Sequence, residues 1–308
     1  MILIINSIIP IFILIFLGWL CTRIKLFNKE QSSALNNYAY YIAMPVLIFQ
    51  TLSKMDIKSI WQSNFVLVNI LAVLVVIILV YILGKVFKIN RQTLGVFIVG
   101  CFLGNVAFIG IPFHSLLLGK DGVAYSSISA ALITFLASTI GIYLIEKGLV
   151  FKEVSLRKKI NNLIKIIFKP MVFSVLLAVA FSFLKINLPS VITKVLDIIS
   201  SSTTAVSLFA VGIFIYGNSI KERFSLTLAL TIGSLVVMPF VAWVMTWFFP
   251  LGKTEMITTV LQAAMPLATM NFILAHQYKI EEKLIANAIL LSTVLSAVTL
   301  PVWIWIIS

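Results

Sequence analysis

Along the chain, runs of about 20 apolar residues alternate with short stretches where the charges collect. Read between charge clusters, the runs lie near 2–22, 32–52, 61–84, 92–118, 122–145, 168–185, 192–217, 224–249, 255–278 and 282–307. Each is roughly the length an α-helix needs to cross a hydrocarbon core about 30 Å thick. The pattern predicts ten transmembrane helices. The second and sixth runs are the least clear: Asn36 and Asn37 stand near the start of one, and Lys169 and Lys185 bound the other. A transmembrane β-barrel would show short alternating segments with a polar lumen face, and none is seen. The first run, MILIINSIIPIFILIFLGWL, has no positive lead and no small-residue cleavage site, so it reads as a retained helix rather than a signal peptide.

Charge placement then orients the runs. Seventeen of the 23 Lys and Arg residues fall in connections after odd-numbered runs and six after even-numbered ones. By the positive-inside rule the odd connections are cytoplasmic, the 146–169 connection included, and both termini lie outside. That connection separates a first five-span repeat, 1–146, from a second, 168–308, with a basic linker at 147–167. Five is odd, so the second half enters from the opposite side, giving an inverted repeat if the halves share a fold. The linker KGLVFKEVSLRKKINNLIK reads as a cytoplasmic loop with an amphipathic piece; contact with anionic lipid is the alternative.

Composition changes little in this picture. With 61% apolar and 11% charged residues, the chain lies outside the range of soluble domains. A net charge of +13 invites a nucleic-acid reading, but the basic residues sit between the apolar runs, where they set topology. Nucleic acid is therefore not an expected partner; the bilayer is. Cys21 and Cys101 lie in or beside apolar runs without metal-ligand neighbours, so they read as packing residues, and two cysteines exclude a disulfide framework. Neither a metal site nor a cofactor is expected.

The candidate chemistry is unusual for its lack of charge. Of the ten acids all but Asp197 fall in connections or at run ends; Asp197 lies within about two turns of one end and reads as a helix-start residue near water. No basic residue falls mid-run, so a proton relay or a carboxylate-built sodium site has little to build on. An enzyme such as a lipid-modifying transferase would need a His, Asp or Glu cluster as base or metal ligand, and none is evident. His114 and His276 read as packed or interfacial residues.

What remains is backbone. The fourth run carries Gly104, Asn105, Gly110 and Pro112, and the ninth, its counterpart, carries Pro266, Thr269 and Asn271. Proline inside a helix removes a hydrogen bond and clashes with the preceding turn, whereas at a first turn it is tolerated. Pro112 and Pro266 therefore read as breaks, each with a short new helix starting at the proline. Unpaired backbone groups at membrane depth are tolerated only inside protein or along a watery cavity, so the breaks are expected to face each other. Each second half-helix would present a positive dipole end to an anion, with the amides of Asn105 and Asn271 adding directional contacts. The alternative is that both prolines merely kink packed helices. Pro45 and Pro239 read as kinks in the second and eighth runs, and SSTTAVS (201–207) as helix-packing residues.

At these residues the chain resembles the auxin efflux carrier family, which includes plant auxin exporters and bacterial permeases for malate, malonate and similar acids. The resemblance rests on NNYAYYIAMPVLIF (36–49), GNVAFIGIPFHSLLLGKDG (104–122), the Ile186–Pro189 turn, SLFAVG (207–212), MPLATMNFILAHQY (265–278) and LLSTVLSAVTLP (290–301). It implies an all-α polytopic fold of ten helices as two inverted five-helix repeats. Broken helices four and nine would cross at mid-membrane, as in sodium/proton-antiporter-like and bile-acid-symporter-like folds. Spans 1, 2, 6 and 7 would form a scaffold that also makes a homodimer, and spans 3–5 and 8–10 a moving transport domain. The implied substrate-binding residues are Gly104, Asn105, Gly110, Pro112, Pro266, Thr269, Asn271 and Pro45. The short central loop differs from many plant members and matches a compact bacterial permease of the plasma (inner) membrane. The resulting expectation is not an enzyme but a secondary transporter of a small organic anion, a carboxylate, working by elevator-type alternating access. A passive channel or sensor is the competing reading.

Overall fold

The computed structural model describes residues 2–54, 63–148, 168, 170–217 and 223–307; beyond Gly148 the basic linker lies outside them. In chain order, α1 is Ile2–Arg23, and α2, Lys29–Tyr38, passes through a π turn, Ala39–Ala43, into α3, Met44–Ser53. Helix α4 is Ser63–Val86 and α5 is Arg91–Phe102. A π turn, Val106–Gly110, leads into α6, Ile111–Leu136, and a further one, Ala137–Gly141, into α7, Ile142–Gly148. Helices α8, α9 and α10 are Pro170–Phe183, Ser190–Ser201 and Thr203–Ile215. The chain continues as α11, Phe224–Ile232, a π turn, Gly233–Val237, and α12, Met238–Phe248. It ends with α13, Lys253–Ala263, α14, Thr269–Tyr278, and α15, Glu282–Ile307. Among the described residues the one departure from all-helical pairing is a backbone bridge between Gly104 and Leu267.

Helix occupies most of the described part of every apolar run, with unwound stretches at 103–105 and 264–268. Among the described residues, five stretches are long and apolar enough to cross a membrane: Ser63–Val86, Val106–Glu146, Ser190–Ile215, Phe224–Phe248 and Glu282–Ile307. Their outward faces carry bare apolar side chains, such as Ile78, Phe135, Val298 and Trp305, a surface that water disfavours and lipid accepts.

Local chemistry explains several boundaries. Helix α2 begins at Lys29, ahead of the predicted start, because Asn28 caps it: Gln31 N–H donates to Asn28 Oδ1 (2.9 Å), and Asn28 N–H donates to Gln31 Oε1 (2.8 Å). Between the fourth and fifth runs the chain turns on one residue, Gly119, at φ 63° and ψ −139°, a conformation open almost only to glycine.

The prolines behave differently from the sequence reading. Pro45, Pro112 and Pro239 are each the second residue of an α-helix that directly follows a five-residue π turn. A π turn shifts hydrogen bonding from i→i−4 to i→i−5, so the carbonyl that a proline would strand and crowd is moved out of register. Pro112 therefore starts no new helix, since winding has already resumed at Val106. Pro45 and Pro239 are likewise absorbed by a widened turn.

The chain forms two compact units. The first comprises Met1–Gln62, Ala107–Ala131 and Ile167–Gly217, and the second Ser63–Val106, Leu132–Ile166 and Asn218–Ser308. In the first, α1 lies against α10 at near backbone-to-backbone distance. A Cβ on Gly18 would fall 2.1 Å from Phe209 O, and one on Gly212 would fall 1.9 Å from Ile15 O. Small residues permit such contact where there is no water to drive helices together. Helix α3 packs on α8 and α9, with the Phe49 and Phe181 rings 5.1 Å apart. Asp197 stands two turns into α9 rather than at its start, and it accepts a hydrogen bond from the amide of buried Gln50. His114 is fully buried, with Nδ1 2.7 Å from Gly110 O.

In the second unit α4 packs on α5 and α12, and α11 on α15. Gly95 sits against the Ile145 backbone, and Gly233 against Cys101 Sγ. At one end the Glu281 carboxylate gathers three elements, accepting from Thr93 Oγ1 (2.8 Å) and from Arg223. His276 Nδ1 lies 3.0 Å from Glu282 at the exposed end of α14.

Two glycine variants separate these effects. Gly212→Val forces α1 and α10 apart and is expected to destabilise the first unit by about 3 kcal/mol or more. Gly119→Ala meets no atom within 4 Å, so its expected loss of about 1–3 kcal/mol comes from backbone strain alone. Thermal unfolding in detergent checks both, and Gly212→Val is expected to lower the midpoint further.

Candidate functional site

The second unit contains the segment where helix formation fails twice at one place. Helix α5 stops at Phe102, and Leu103 takes φ −86° and ψ 78°. Helix α13 stops at Ala263, and α14 begins only at Thr269, with Ala268 extended at φ −70° and ψ 143°. The two unwound stretches pair antiparallel: Asn105 N–H donates to Pro266 O (2.6 Å), and Ala268 N–H donates to Leu103 O (3.1 Å). The chain thus finds at 266–268 the partners that residues 103–105 lose by leaving the helix.

Side chains complete the pairing. The Asn271 amide donates to Leu103 O (2.8 Å) and Ala268 O (3.2 Å), stapling one segment to the other. Leu267 N–H donates to Ser292 Oγ on α15 (3.0 Å). Gln262 Nε2 reaches Val106 O (3.4 Å), and Ser234 Oγ reaches Met265 O (3.5 Å). Gly104 is needed for closeness, since a Cβ there would lie 2.9 Å from Met265 O. All of this is dry: Asn105 is 2% exposed, Asn271 1%, and Gln262, Met265, Leu267 and Ser292 0%.

The arrangement changes what the backbone offers a ligand. The N–H groups of Asn105, Leu267 and Ala268 are spent inside the crossing. The first turn of α14 has no side-chain cap, so its leading amides, at Thr269 and Met270, are the positive dipole end nearest the crossing. Thr269 is half-buried there. Asn271 uses both of its amide hydrogens on carbonyls, which leaves Oδ1, without a hydrogen-bond partner, as its remaining polar atom.

Of the residues singled out from sequence, Gly104, Asn105, Pro266, Thr269 and Asn271 come together in this unit. Gly110, Pro112 and Pro45 belong to the other unit, where the two prolines follow π turns. Two sequence readings are corrected in position. The first break lies at Leu103–Asn105, ahead of Pro112, because the Pro266 and Leu103 carbonyls hold that stretch open. The second helix starts at Thr269 rather than at Pro266, which stays extended and lends its carbonyl. Sequence reading missed Gln262, Ser234 and Ser292. The available signal was a polar residue set in an apolar stretch of each flanking helix, in VLQAAMP, TIGSLVV and LLSTV.

Residues 3–304 match the model of a family described as membrane transport protein. The chain belongs to that family, which includes the auxin efflux carriers. It is 28% identical to an uncharacterised transporter of Methanocaldococcus jannaschii, the match covering 96% of each chain. It is 25% identical to a putative malonate transporter of Rhizobium meliloti, over 95% of this chain and 92% of that one. It is 21% identical to auxin efflux carrier component 8 of Arabidopsis thaliana, over 96% and 95%. Family and apolar helices together make this a multi-pass membrane protein.

The crossing predicts its own weak point. Ser292→Ala strands the buried Leu267 N–H, and Asn271→Ala removes two bonds to buried carbonyls. Each is expected to destabilise by about 1–3 kcal/mol. Hydrogen exchange read by mass spectrometry is expected to rise first in a peptide covering 264–268, before any global unfolding.

Proposed function

We propose that this protein is a secondary transporter of a small organic anion carrying a carboxylate, with the substrate bound beside the crossing of residues 103–105 and 266–268. The observation that carries the reading is the buried crossing, which ends in the uncapped start of α14. A carboxylate at that helix start meets free N–H groups and a partial charge of about half an elementary unit. Thr269 contributes a hydroxyl and Asn105 an amide at the same level. Two relatives carry names of carboxylic acids, malonate and auxin, which supports the same class of cargo here.

The wider architecture of this reading is two inverted five-helix repeats spanning the membrane ten times, with both termini outside. Alternating access is of the elevator type, and the first unit acts as the scaffold and homodimer contact. It is supported by the grouping of spans 1, 2, 6 and 7 in one unit and spans 3, 8, 9 and 10 in the other; spans 4 and 5, expected in the transport domain, are divided, with Ala107–Ala131 in the first unit. The odd count of spans on each side of the central linker supports the inversion.

Uptake of radiolabelled malonate and a panel of mono- and dicarboxylates into proteoliposomes, with and without proton and sodium gradients, tests the proposal. The expected result is saturable uptake stimulated by internal substrate, lowered at least tenfold by Asn105→Ala in protein that still folds. Non-saturable flux without counter-stimulation, or full uptake by Asn105→Ala, would sink it.

A further inference from the structure

A second polar site stands in the first unit, far along the chain from the crossing. A cavity of about 530 Å³ is lined by the end of α3 (Gln50, Ser53, Lys54), the end of α8 with the turn after it (Ser182, Lys185–Leu188), and the first turns of α9 (Thr193, Leu196). We infer that this cavity binds an oxyanion group, a carboxylate or phosphate, through the ammonium groups of Lys54 and Lys185.

Four observations carry the inference. First, both lysines line one cavity, and neither takes part in an ion pair among the described residues. Two like charges lining one cavity repel each other, and an anion held between them relieves that repulsion. Second, they are two of the six basic residues in the even-numbered connections, the side on which lysine is sparse. Topology therefore does not account for them as it accounts for the other seventeen.

Third, Lys185 occupies a left-handed conformation, φ 53°, at the end of α8, with Ile186 N–H donating to Phe181 O (3.0 Å). The turn fixes the Lys185 backbone at the helix end, as the same left-handed lysine does at Lys25, Lys88 and Lys279. Fourth, α9, a twelve-residue helix whose Pro189 cap offers no side-chain hydrogen bond, lines the cavity with Thr193 and Leu196 from its first two turns. Its positive dipole end adds to the two ammonium charges.

The floor is already ordered to receive a ligand. Gln50, 7% exposed, donates from Nε2 to Asp197 and accepts at Oε1 from Ser200 Oγ (2.8 Å). Its amide is thereby fixed, and one N–H remains to point elsewhere. Among the described residues near this cavity the Asp197 carboxylate is bound to Gln50, which lines it. Ser53 and Asn187 supply neutral polar groups to the lining, while the Thr193 hydroxyl donates to Pro189 O (3.3 Å). A single oxyanion of one or two charges fits this balance. It is carried either by a free organic acid or by an anionic phospholipid headgroup.

The test uses purified full-length protein and leaves the crossing out of the signal. Malonate and inorganic phosphate are titrated calorimetrically into Asn105→Ala protein. The double variant Lys54→Gln/Lys185→Gln is compared in that background, with Lys54→Arg/Lys185→Arg as the charge-keeping control. In parallel, native mass spectrometry follows retention of phosphatidylglycerol against phosphatidylcholine from nanodiscs. Binding of the soluble ions, weakened at least tenfold by the Gln pair and kept by the Arg pair, supports the site with a free acid as its ligand. Selective retention of phosphatidylglycerol, lost in the Gln pair, supports it with a lipid as the source. The inference is overturned if a Gln-pair protein with unchanged melting temperature binds all three probes as before, or if the parent binds none of them. Either result leaves the crossing to be judged separately by uptake.

Discussion

A peptide group that leaves a helix inside a membrane must find another partner, because lipid offers none. The second unit meets this constraint by bringing two such failures together. Residues 103–105 and 266–268 lie more than 160 positions apart, yet each supplies what the other lacks: Pro266 O for Asn105 N–H, and Leu103 O for Ala268 N–H. Neither unwound stretch is stable alone. Gly104, Asn271 and Ser292 are best understood as conditions for that pairing, one giving closeness and two giving bonds. The start of α14, and any anion chemistry it performs, exists because the crossing holds α13 and α14 apart.

The same constraint governs the prolines, with a cheaper solution. At Pro45, Pro112 and Pro239 the helix does not open; it widens for five residues and continues. A π turn leaves most N–H groups bonded within the helix, so no partner from elsewhere is required. The chain thus handles lost hydrogen bonds in three ways. It widens the helix ahead of Pro45, Pro112 and Pro239, keeps Pro10 and Pro301 within α1 and α15, and opens the helix where a second unwound segment is available.

That distinction marks the limit of what the sequence revealed. Apolar run lengths and lysine positions placed helices throughout the chain, since burial in lipid and charge exclusion are local, additive effects. The gap between the fourth and fifth runs was visible for the same reason, though not that Gly119 would carry the turn. The existence of a break in the fourth and ninth runs was also legible, from Gly104, Asn105 and Pro266. Its position was not. Proline announces a missing N–H, so Pro112 looked like the break, whereas the chain opens at Leu103 because a carbonyl and an N–H arrive there from the other half. Ser292, Ser234 and Gln262 were invisible for a related reason: a single polar residue on a helix does not say which backbone group it will meet. The Gln50–Asp197 bond was hidden likewise, and Asp197 looked like a helix-start residue until α3 was set against α9.

The chemistry of the crossing also limits how tightly it can hold a ligand. Its own donors at Asn105, Leu267 and Ala268 are consumed, and it carries no ionisable side chain among residues 103–106 and 262–271. An anion placed at α14 would face a helix dipole and neutral donors but no full positive charge. Dipole interactions of this kind contribute about 0.3–2 kcal/mol each, whereas pulling one partner out of a buried ion pair costs about 3–5 kcal/mol. A carrier must release its cargo on the far side, so weak, shape-dependent binding there suits transport better than a salt bridge. Full charges stand instead at the rim of the first unit, on Lys54 and Lys185, where an anion can be attracted without having to be carried. Separating attraction from carriage places strong electrostatics near water, where screening keeps it reversible, and leaves the dry interior to geometry.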